Sequence, residues 1–181
     1  VQGSASAEVA ECCWELEEVC DEIIDLIRRK YDEEKEVVCY KTPKLPALNV
    51  TNVFFGLPTL IRSLTGIAVV GLGQVPIRDG SPSTCPYDII NRVGIHWWYY
   101  DRDFETAHRN TMRMGEVIKR ILIRNPRIVA FGKPHTEPIE FDEIVLGEDV
   151  HEAFEGVRQA YASGRMQIRF RRVFQLALDE K

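Results

Sequence analysis

The chain has 181 residues, 45% hydrophobic and 28% charged, which suits one folded domain with a sizeable core. Its net charge of −5 lacks the surplus of Lys and Arg that broad nucleic-acid binding requires. No apolar run approaches the ~20 residues of a membrane span, and the opening VQGSASAEVAEC has neither the basic region nor the apolar core of a signal peptide.

Residues 8–30 read as a helix. Val9, Cys13, Leu16, Cys20, Ile23 and Ile27 recur at spacings of three and four and form one apolar stripe. Glu11, Glu15, Glu18, Glu22 and Asp25 lie mostly off that stripe, and Arg28, Arg29 and Lys30 close the helix, an order that complements its dipole. KEVVCYK, residues 35–41, reads as a short strand ended by Pro43 and Pro46. Residues 42–86 form a long loop-and-strand insertion. Within it, 66–78 is a strand with a bend. Gly71 and Gly73 there do not open a G-x-G-x-x-G helix, because the sixth position is Pro76, so a bulge explains them better than a phosphate loop. The polar stretch 78–86 is an exposed connection, of the hairpin kind.

The next strand begins near Tyr87 and carries the run HWWYYDRD. Alternation places Ile89, Val93, Ile95, Trp97 and Tyr99 on one face, and Ile90, Arg92, His96, Trp98 and Tyr100 on the other. Large side chains on both faces predict a central strand covered on both sides. Asp101 or Asp103 then caps a helix to about Ile123, with Phe104, Ala107, Thr111, Met114, Ile118 and Ile121 as its stripe and Asn125-Pro126 as its stop. The basic residues Arg109, Arg113, Lys119, Arg120 and Arg124 read as a solvated face. Strands are expected at 127–133 and 138–147, with a turn at Gly147–Asp149. Residues 151–164 are compatible with a short helix or a loop. The last strand alternates, with Met166, Ile168 and Phe170 inward and Gln167, Arg169 and Arg171 outward. The fold class is therefore α+β: a mainly antiparallel sheet with an N-terminal helix and a central helix packed on one face, in a single domain whose residues 1–7 are a flexible lead.

The chemistry-bearing residue types do not gather into a motif. Cys12, Cys13, Cys20, Cys39 and Cys85 are odd in number and form no C-x-x-C pair, which argues for a reducing compartment and against a zinc cluster. The four histidines stand at no metal-ligand spacing, and neither a G-x-S-x-G elbow nor a P-loop is present. We therefore assign no catalytic residue, cofactor or metal. The aromatic run has acidic neighbours, which repel phosphate, so burial or a subunit contact explains it better than base stacking.

The order of elements is informative as a whole. A helix leads into strands, the strand ending in WYYDRD enters the helix FETAHRNTMRMGEVIKRIL, and RNPRI returns the chain to strands. This layout resembles the tail terminator (tail completion) proteins of long-tailed bacteriophages, small α+β proteins that form hexameric rings. The resemblance covers most of residues 8–177. It implies a structural virion protein without catalytic activity, made in the host cytoplasm. Such a protein caps the tail tube and contacts tube or sheath proteins on one side and head–neck connectors on the other. Within that role, Glu11, Glu15, Glu18 and Glu22 of the first helix, Trp98 and Tyr100, and Arg165, Arg169 and Arg171 are the candidate interface residues. Another head–tail connector or tail-tube-like ring protein, a small metal- or nucleotide-using enzyme, and a nucleic-acid module using Arg165 to Arg172 are the alternatives.

Overall fold

In the first helix, the alternation of three and four continues past the point where the sequence turns strongly charged. The computed structural model describes residues 15–38, 52–57, 65–77, 88–130, 133–134, 138–154 and 157–173. Its first helix, α1, runs Glu15–Val38. The strand expected at 35–41 is therefore helix as far as Val38, and the rest of that stretch lies outside the described residues. The reason is that the inward stripe runs on through Tyr31, Glu34 and Lys35, all buried. In DEEKE a carboxylate and an ammonium stem occupy positions where an apolar residue would announce a helix.

Strand β1, Val53–Phe55, lies parallel to β2, Gly66–Ile77, and β2 pairs antiparallel with β3, Asp88–Asp101. The bend expected in β2 is a register shift between Gly71 and Gly73, with Gly73 at φ +138°, a conformation that disfavours any side chain. The turn that would join β2 to β3 lies outside the described residues. Helix α2, Phe104–Arg124, follows β3 at once. Asp103 caps it, its carboxylate accepting from the Thr106 N–H at 2.8 Å, and Asn125 closes it.

The segment 127–133, expected as one strand, is instead two short pieces, β4 (Val129–Ala130) and β5 (Lys133–Pro134), paired with each other and separate from the main sheet. The last two strands are longer than expected. β6, Glu140–Phe154, passes through Gly147–Asp149 with a register shift where a turn was expected. β7, Val157–Val173, pairs with it from Phe154↔Val157 onward. Residues 151–164 are thus hairpin strand rather than helix or loop, apart from 155–156, which are not described.

The sheet order is β1-β2-β3-β7-β6, so β3 is the central strand, as the aromatic run predicts. One face carries Ile67, Val69, Val93, Ile95, Trp97, Met166, Ile168 and Phe170, and both helices cover it with Ile23, Ile27, Met114, Ile118 and Ile121. Each such side chain, fully buried, contributes about 1.5–3 kcal/mol. Trp97 is the pivot of this layer. Gly115 and Gly164 leave room for its indole, and its Nε1 donates to the Thr111 carbonyl at 2.9 Å. The Thr111 hydroxyl in turn donates to the Ala162 carbonyl at 2.9 Å, tying α2 to β7 as well as to β3. Among the described residues, no helix is long and apolar enough to cross a membrane.

Candidate functional site

Alternation along β3 and β7 sends every second side chain to the face that the helices leave open. Arg92, His96, Trp98 and Tyr100 of β3 lie there beside Arg165, Gln167, Arg169 and Arg171 of β7. Trp98 is nonetheless buried. It stacks on Phe54 of β1 with ring centroids 6.2 Å apart and an interplanar angle of 12°. Tyr100 is half-buried. The paired tryptophans of the sequence therefore serve two layers: Trp97 fills the helix side and Trp98 the other.

The arginine strip is not an isolated patch of charge. β7 carries five arginines and no acid, while β6 carries six acids and no Lys or Arg. Arg169 Nε lies 2.8 Å from Glu140 Oε2 and 3.2 Å from Asp142 Oδ1. The bond to Glu140 and the Asp142 charge raise the Arg169 pKa above its ordinary value. Arg165 Nη2 lies 3.5 Å from Glu143 Oε1. Towards β3 the same arginines face Arg92 and His96. Partial burial, then the Arg165 charge, lowers the His96 pKa and favours its neutral form.

Helix α1 lies on the opposite side of the sheet. It holds ten Asp and Glu against four Lys and Arg, so it alone carries six net negative charges in a chain of net −5. Glu17, Asp21 and Asp25 form an exposed row at i, i+4 spacing. Of the predicted acidic residues, Glu18 and Glu22 are half-buried, the side chain of Glu15 is not described, and Glu11 lies outside the described residues. The structure therefore does not bring the acidic and basic candidates together; it sets them on opposite faces.

Two features were not anticipated. The first is Glu34, whose side chain is only 4% exposed yet receives Arg124 Nη1 at 2.7 Å and Arg120 Nε at 3.1 Å. Two members of the supposedly solvated face of α2 thus clamp the helices together. The second is a set of apolar side chains at the sheet edges. Phe55 and Leu57 are over half exposed at the β1 edge, beside an open groove of about 300 Å³ lined by Leu16, Glu17, Cys20, Phe55, Val70 and Gly71. At the far edge Met112 and Ile144 are exposed. The pair Phe54-Phe55 was the one available signal, since alternation must turn one of two adjacent aromatics outward.

Cys20 is a packing residue here. Burial, reinforced by Asp21 and Glu17, pushes its thiol pKa up to about 12. Among the described residues, no three His, Cys, Asp or Glu side chains gather as a metal-binding group. No protein-family model matches the chain, and no curated protein matches it.

Proposed function

We propose that this chain is a structural ring subunit of a long-tailed bacteriophage, acting at the end of the tail tube where tail joins head. The observation that carries this reading is the placement of charge. A one-sided α+β sheet sets an acidic helix on one face and an arginine column on the other. A closed ring needs unlike surfaces, because each copy meets its two neighbours through different patches. The acidic helix face and the mixed-sign face of β3, β7 and β6 are two such unlike surfaces. The role is assembly rather than catalysis, and its partners are further copies of the chain, tube or sheath proteins, and head–neck connectors. Another head–tail connector or a tail-tube-like ring protein is the alternative.

The test is native mass by light scattering across concentration, with negative-stain images of the same sample, alone and with isolated tail tubes. A closed ring of about six copies, alone or on the tube end, is expected. A chain that stays monomeric in both conditions refutes the proposal.

A further inference from the structure

We draw no further inference here: the strongest candidate, the open apolar groove at the β1 edge of the sheet, lined by Leu16, Glu17, Cys20, Phe55 and Val70, carries nothing, because nothing in the structure shows what covers it.

Discussion

Glu34 offers an asymmetric test of how the two helices are held. Its carboxylate is 4% exposed, whereas Arg120 and Arg124 are 35% and 54% exposed. Glu34→Ala therefore removes two charge-assisted bonds but strands nothing, because both guanidinium groups can turn to water. Such bonds contribute about 1.5–3 kcal/mol each when buried. Solvent screening of the arginines brings the expected loss down to about 2 kcal/mol in total. Replacing both Arg120 and Arg124 by Ala does the reverse. It leaves a buried carboxylate without its counter-charges, which costs about 3–5 kcal/mol when a buried pair is broken from one side. The measurement is urea unfolding at pH 7 and 25 °C, read as the midpoint at constant m-value. The arginine double variant should unfold at clearly lower urea than Glu34→Ala. Equal midpoints, or a smaller loss for the double variant, would show that Glu34 is not an enclosed charge and that α1 does not dock on α2 through its C-terminal third.

Three further outcomes follow from other parts of the fold. Gly164→Ala drives a methyl group into the Trp97 indole and should destabilise by about 1–3 kcal/mol, visible as a lower thermal midpoint and altered tryptophan emission. Cys20, with a folded pKa of about 12 against 9.0 in the unfolded chain, keeps its proton where the unfolded thiol has lost it. Its contribution is complete below about pH 9 and falls as pH rises towards 12, so Cys20→Ala should flatten the alkaline decline of the unfolding midpoint. Asp103 has the opposite sign. Its bonds from Thr106 depress its pKa, so its stabilisation is present above the unfolded carboxyl value and is lost as pH falls through the folded one. The midpoint gap between parent and Asp103→Ala should close on acidification; a gap unchanged by pH would remove the cap from the account.

Hydrophobic periodicity made much of the fold legible. The stripe of α2, its Asp103 cap, the central place of β3 and the inward set Met166, Ile168 and Phe170 all follow from spacings of two or three-to-four. Sequence reading failed where a polar residue did a core residue's task. Glu34 and Lys35 sit on the buried stripe, so a helix looked like a strand. It failed again in β6, where Gly147–Asp149 has turn composition but is a register shift inside a strand of 15 residues. A turn and a bulge call for the same residues; only the partner strand distinguishes them. The candidate surface was half legible. The arginine strip was visible as alternation, but its neutralising acids lie about 20 to 30 positions earlier, and no local rule pairs them.

That pairing changes what the arginine column can do. A column of Arg92, Arg165, Arg169 and Arg171 alone would be the footprint of a phosphate backbone. With Glu140 and Asp142 on Arg169 and Glu143 beside Arg165, an incoming polyanion would have to displace carboxylates already within 2.8–3.5 Å. The same acids repel it on approach. A protein partner meets no such barrier, because it can bring both signs of charge and match the alternating column. The hairpin's charges therefore serve first to fix the β6–β7 register, since a slip of one residue would send the arginines to the core face. What remains exposed there is a surface of mixed sign.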